Sequence, residues 1–232
     1  GEVAMPCWNY KIITNEIDKI SVLFWIRTMR MPFLLERKMT IKNNDATLYL
    51  EEQVTNESNQ ELDFMWGHHP AFGPVFLDDS CEIIIDSGSI SNIIFDWQGK
   101  NLRNEEAAWP WLTLNSGELL DVSKVKGPEE QLFMEFAVSN LTHAGYEIIN
   151  HRNNMGFGME WDQKIFPHIW MWAVYGGGLI YPWFGRAYTL ALEPWSSIPG
   201  DLNLAAKKKE TIKIQANQKI STQIKAFIKS YE

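Results

Sequence analysis

The run Trp66-Gly67-His68-His69-Pro70-Ala71-Phe72-Gly73 places two imidazoles where the backbone is about to turn. Pro70 removes a backbone donor and holds the residue before it extended. Gly67 and Gly73 let the chain turn or come close to a ligand. A histidine fixed among aromatic neighbours can act as a general acid near neutral pH. The residue types by themselves also describe two imidazoles that only satisfy hydrogen bonds at a strand end. A carboxylate with similar promise is Glu193, in Ala187-Tyr188-Thr189-Leu190-Ala191-Leu192-Glu193-Pro194-Trp195. Alternation puts Tyr188, Leu190 and Leu192 on one face and Ala187, Thr189, Ala191 and Glu193 on the other. Glu193 then stands on a face of small side chains with room above it, and Pro194 is expected to stop the strand. An ordinary surface glutamate fits the same residues.

His168, Trp170 and Trp172 are spaced by two and share one face of a strand, where flat rings can floor a sugar cleft or pack between sheets. Gly176-Gly177-Gly178 lacks the Lys and Ser/Thr of a phosphate loop and reads as a tight turn. No metal site emerges. His68 and His69 are adjacent and point to opposite faces; His143 and His151 flank a hairpin, where they are expected to approach each other, but lack a carboxylate or thiolate at ligand spacing. No cofactor is expected.

The elements that must position these groups are strands. Ile20, Val22, Phe24 and Ile26 alternate, as do Phe33, Leu35, Met39 and Ile41 with Glu36, Lys38 and Thr40 opposite. The same period of two marks Leu132–Val138, Met155–Trp161, Ile212–Ala216 and Ile220–Ile228. Asn43-Asn44-Asp45, Asn56–Gln60 and Asn217-Gln218 supply turns, the last joining the final pair of strands. The fold class is therefore all-β, a large antiparallel β-sandwich read as one domain over residues 1–232. The stretch from Gly99 to Glu130 is less periodic and reads as a surface excursion.

Composition narrows the partners. A net charge of −8 argues against nucleic acid, and no apolar run reaches membrane-spanning length, so a soluble protein is expected. Lys207-Lys208-Lys209 reads as a solvated turn. Two cysteines, Cys7 and Cys81, do not make a disulfide framework, which favours a reduced, cytoplasmic setting. Eleven tryptophans suit both a bulky core and platforms for sugar rings.

His69-Pro70-Ala71-Phe72 resembles the His-Pro-Tyr-Phe-Asn motif of the aldose 1-epimerases, the galactose mutarotase family. Leu192-Glu193-Pro194-Trp195-Ser196-Ser197 resembles the late strand that carries that family's catalytic glutamate. The resemblance runs from about Phe33 to Phe227. It implies a galactose mutarotase-like supersandwich and no cofactor. It also implies His69 as the acid on a sugar's ring oxygen and Glu193 as the base on the anomeric hydroxyl. His68, Trp170, Trp172, Asp162 and Arg186 become the candidate substrate contacts, with Asp162 standing for the family's substrate-binding aspartate. Ala71 and Gly73 replace the motif's Tyr and Asn, so sugar contacts there differ. Gly1-Glu2 resembles the tail of a His-Gly element in the family's N-terminal part, which suggests a shortened chain with an open sheet edge. A homodimer would cover such an edge. The partner implied is a small-molecule sugar. The alternative is a non-catalytic carbohydrate-binding or regulatory domain on the same fold. A third reading, a phosphosugar epimerase, would draw on Arg152 and Arg186.

Overall fold

The computed structural model describes residues 1–86, 88–96, 106–114 and 116–231. The strands are β1 (Asn9–Asn15), β2 (Lys19–Arg27), β3 (Phe33–Lys42), β4 (Asp45–Asn56), β5 (Leu62–Phe64), β6 (Ala71–Phe72), β7 (Cys81–Ile84), β8 (Ser89–Asp96) and β9 (Ala107–Ala108). They continue as β10 (Trp111–Thr113), β11 (Leu119–Asp121), β12 (Leu132–Ser139), β13 (Gly145–Asn150), β14 (Met155–Trp161), β15 (His168–Tyr175), β16 (Tyr188–Trp195), β17 (Ile212–Ile214) and β18 (Lys219–Ser230). A short helix α1 spans Leu202–Lys208.

Eight strands form the larger sheet in the order β1-β2-β3-β4-β18-β14-β13-β7, and six form the smaller in the order β6-β16-β15-β12-β8-β9. All pairings in both are antiparallel. The predicted alternation is what builds the interior. Leu50 and Val54 of β4, Ile224 of β18 and Ile148 of β13 join Met134, Phe136 and Val138 of β12 and Leu190 and Leu192 of β16 in one buried cluster. Each sheet turns one face to that cluster and the other away from it. Asn44 and Asn217 adopt the left-handed conformation that their turns need.

Four expectations are corrected. Ile212–Ile214 pairs with β5 and not with the neighbouring β18. The described part of 99–130 is not a surface excursion, because Leu112, Leu114, Val122 and Val125 are buried. Lys207 and Lys208 form the last turn of α1, which Asp201 caps through the Leu204 N–H at 2.9 Å. His143 and His151 lie before and after β13 and face different carboxylates, Glu160 and Glu82. Residues 99–105 and 115 of the excursion lie outside the described residues.

Among the described residues β1 is one edge of the larger sheet. Its Tyr10, Ile12 and Ile13 are exposed. Among the described residues no helix is long and apolar enough to cross a membrane.

Candidate active site

Glu193 reaches its place because β16 has one wholly apolar face. Leu190 and Leu192 are fully buried, which forces Ala191 and Glu193 to the outer face of the smaller sheet. Pro194 does not stop this strand, which runs on to Trp195. The Pro194 carbonyl accepts the His68 N–H at 3.0 Å, so its donor-less nitrogen faces the same side and leaves the ladder to β15 intact.

The His69 segment is laced to β16 along its length. Gly67 pairs with Trp195 and Ala71 with Ala191, and the register between them puts His69 opposite Glu193. The Ser196 N–H donates to Trp66 O at 2.9 Å, the Trp66 N–H to Ser196 Oγ at 2.9 Å, and the Thr189 hydroxyl to Phe72 O at 2.9 Å. The outcome is contact between the two predicted groups: His69 Nδ1 lies 2.7 Å from Glu193 Oε1. Trp195 Nε1 donates to Glu193 Oε2 at 2.8 Å, so each carboxylate oxygen has a partner. Gly67 makes this possible, since a Cβ there would lie 2.4 Å from the Trp195 indole.

The pair differs in exposure. The Glu193 side chain is 7% exposed and that of His69 58%. With Nδ1 held by the carboxylate, His69 has Nε2 left for a ligand. The hydrogen bond to Glu193 raises His69 above the ordinary histidine range; burial opposes this, and the charges of Glu193 and Glu135 add to it.

Glu135 was not picked out by the sequence reading. It lies on β12 opposite Trp172 of β15, while Trp170 lies opposite Glu193, so all four side chains share the outer face. Burial, then the charge of Glu193, pushes its carboxyl up to about 7, with His69 pulling the other way. The signal was present in the alternation of β12. Phe133, Glu135, Ala137 and Ser139 form a second face that carries a single carboxylate.

Of the expected substrate contacts, the structure brings Trp172 to the pair, its ring centroid 5.8 Å from that of His69. Trp170 stands behind, 5.4 Å from the Trp195 ring, with Nε1 donating to Ser197 O at 2.9 Å. His168 bonds Ser139 Oγ at 2.8 Å on the same face. Arg186 is exposed at the base of the loop after β15.

Three expectations fail on position. His68 points into the sandwich, where Nε2 meets Glu52 Oε2 at 2.8 Å, so it does not contact a ligand beside His69. Its ring packs edge-on against Phe166. The Glu52 carboxylate is fully buried and also bonds Arg37 Nε. Burial pushes Glu52 up, but the His68 hydrogen bond and the charges of His68 and Arg37 outweigh it and hold the carboxyl below its usual range. Asp162 caps the turn after β14 through the Lys164 N–H at 2.9 Å. It lines a polar groove of about 710 Å³ that Glu36, Lys38, Glu51 and Gln53 share, on the larger sheet. Arg152 is engaged by Asp78 and Asp79 at the β13–β14 turn and does not converge with Arg186. Among the described residues no group of three His, Cys, Asp or Glu side chains is placed to hold a metal ion.

The two packed antiparallel sheets have the galactose mutarotase-like architecture. A structure from Klebsiella pneumoniae, provisionally assigned as an aldose 1-epimerase, superposes with a TM-score of 0.67 at 15% identity, over 90% of this chain and 50% of that one. Galactose 1-epimerase from Lactobacillus acidophilus gives 0.63 at 10% identity, over 98% of this chain and 68% of that one. A TPR-domain containing protein from Parabacteroides distasonis gives 0.68 at 10% identity, over 97% of this chain and 35% of that one. The chain thus spans half the length of the Klebsiella structure. No curated protein matches its sequence. By sequence the chain belongs to the family described as a domain of unknown function, DUF4432, whose model matches residues 24–228.

Proposed function

We propose that the chain interconverts the anomers of a sugar by acid–base ring opening and reclosure, as an aldose 1-epimerase-like enzyme. The 2.7 Å pairing of His69 with Glu193 on an open face carries this reading. Protonated His69 gives the Nε2 proton to the ring oxygen, and Glu193 takes the proton of the anomeric hydroxyl. The C1–ring oxygen bond breaks and C1 becomes a carbonyl. Rotation about C1–C2 presents the other carbonyl face, and reclosure returns both protons and yields the other anomer. The two groups exchange one proton each way, so no oxidant or cofactor enters the balance. Glu135, poised near neutrality, donates to or accepts from a further sugar hydroxyl, and Trp172 offers a flat face to the ring.

A second reading is a carbohydrate-binding domain without catalysis; the match to only 35% of a TPR-domain containing protein agrees with this fold serving as one part of a longer chain. One experiment separates them. Two-dimensional exchange NMR on pure anomers of a panel of hexoses and hexose phosphates would show faster interconversion than buffer for an enzyme. Buffer rates throughout, with saturable sugar binding, would leave the binding domain.

A further inference from the structure

We infer that Trp195 is a positioning residue for the exchange: its indole N–H fixes the plane of the Glu193 carboxylate that takes the sugar's proton. This rests on the anomer-exchange reading of His69 and Glu193 and adds a third residue to the pair.

The relation is local in the chain. Glu193 and Trp195 are two apart on β16, so their side chains leave the same face of the smaller sheet. Trp195 Nε1 donates to Glu193 Oε2 at 2.8 Å, and His69 Nδ1 lies 2.7 Å from Oε1. A carboxylate held at one oxygen turns easily about its last bond, where the torsional preference is broad. Held at both oxygens it keeps one plane, and the lone pairs left over for a sugar hydroxyl point in fixed directions.

The two holders differ in kind. The imidazole changes its charge as it gives up and regains a proton. The indole N–H only donates and does not titrate. It is the partner that stays the same through the cycle, with His69 charged or neutral. The Glu193 side chain is 7% exposed, so water offers little in place of a lost donor.

The indole is itself held. Trp195 pairs with His168 of β15 and bridges to Gly67. The Gly67 backbone sits against the fused bond of the ring, where a Cβ would lie 2.4 Å from Cδ2 and 2.5 Å from Cε2. Trp170 packs on the ring at 5.4 Å between centroids, and its own Nε1 donates to Ser197 O at 2.9 Å. Gly200 closes against Trp170 in turn, since a Cβ there would lie 3.1 Å from Cη2. A ring packed in this way does not follow a swinging carboxylate, so the carboxylate conforms to the ring.

The test removes the N–H and keeps the ring. A protein carrying benzothienylalanine at position 195 has sulfur in place of the indole N–H and the same fused shape; Trp195→Phe is its genetic counterpart. Exchange NMR on glucose and galactose gives kcat and KM. We expect kcat to fall about ten- to a hundredfold in both proteins, the range for one hydrogen bond to a charged group, with KM within about threefold of the parent. A parent-like kcat in the benzothienyl protein overturns the inference. So does a raised KM with parent-like kcat, which would make Trp195 a sugar contact. If the parent exchanges no sugar, the anomer reading fails by itself, and nitrogen NMR of the His69 ring still decides. An indole that acts through the carboxylate moves the His69 nitrogen shifts when its N–H alone is removed. Unmoved His69 shifts overturn the inference with or without turnover.

Discussion

His69 and Glu193 stand opposite one another across two antiparallel segments, bracketed by the Gly67–Trp195 and Ala71–Ala191 pairings, and their side chains meet at 2.7 Å. If they form the acid–base pair, each is needed alone. His69→Asn and Glu193→Gln are each expected to lower anomer exchange by about 10²–10⁴-fold, the range for losing a general acid or base. Circular dichroism should remain that of the parent. Exchange that persists within threefold in both variants would remove the pair from the chemistry.

Glu135 raises His69 through its charge. Glu135→Gln removes that charge above the range where the carboxyl ionises, about 7. His69 then loses its proton at lower pH, and the alkaline limb of the exchange profile shifts to lower pH. Titration of the His69 ring signals by NMR reads the same shift directly. A limb that does not move would mean the two groups are not coupled.

Gly67 carries no Cβ because the Trp195 indole occupies the space, 2.4 Å from where that atom would lie. Gly67→Ala must displace the ring and with it the Trp195 Nε1–Glu193 Oε2 hydrogen bond. The expected cost is about 1–3 kcal/mol of overpacking, seen as a lower urea midpoint, together with reduced exchange. Unchanged stability and rate would show that the indole is free to move.

Glu52 joins His68 and Arg37 inside the sandwich, and its carboxylate is fully buried. Glu52→Ala leaves the Arg37 guanidinium and the buried His68 ring without their partner, and the expected loss is about 3–5 kcal/mol in urea unfolding. The folded carboxyl lies below its usual range, so its contribution is present above the unfolded value and is lost as pH falls through the folded one. The parent should therefore lose stability in acid more steeply than Glu52→Gln, and matching acid profiles would contradict the argument.

The β1 edge exposes Tyr10 and Ile12 beside unpaired backbone. Antiparallel pairing of two copies about Ile12 would set Lys11 opposite Ile13 and so bring no like charges together. A dimer is expected in sedimentation equilibrium, and Ile12→Pro should dissociate it. A parent that stays monomeric at millimolar concentration rules this pairing out.

The strands were legible in the sequence because half-buried antiparallel strands alternate, as in β2, β12, β14 and β18. The pair was named together only through the resemblance of two short motifs, since the residue types alone also fitted a structural histidine and a surface glutamate. The register between the Gly67–Ala71 segment and β16 was not legible, because hydrogen bonds across 130 residues, such as Trp66 N–H to Ser196 Oγ, leave no local pattern. The sequence marked His68 and His69 as facing opposite ways. Only the packing decided that one meets buried Glu52 and the other an open face. Glu135 shows the remaining gap. A lone carboxylate on an apolar strand face is visible in the chain, but its value near 7 arises from burial and from the charge of Glu193, two strands away. Periodicity is a property of neighbours in sequence and fixes faces. Distance, burial and field come from neighbours in space, and those the tertiary structure decided.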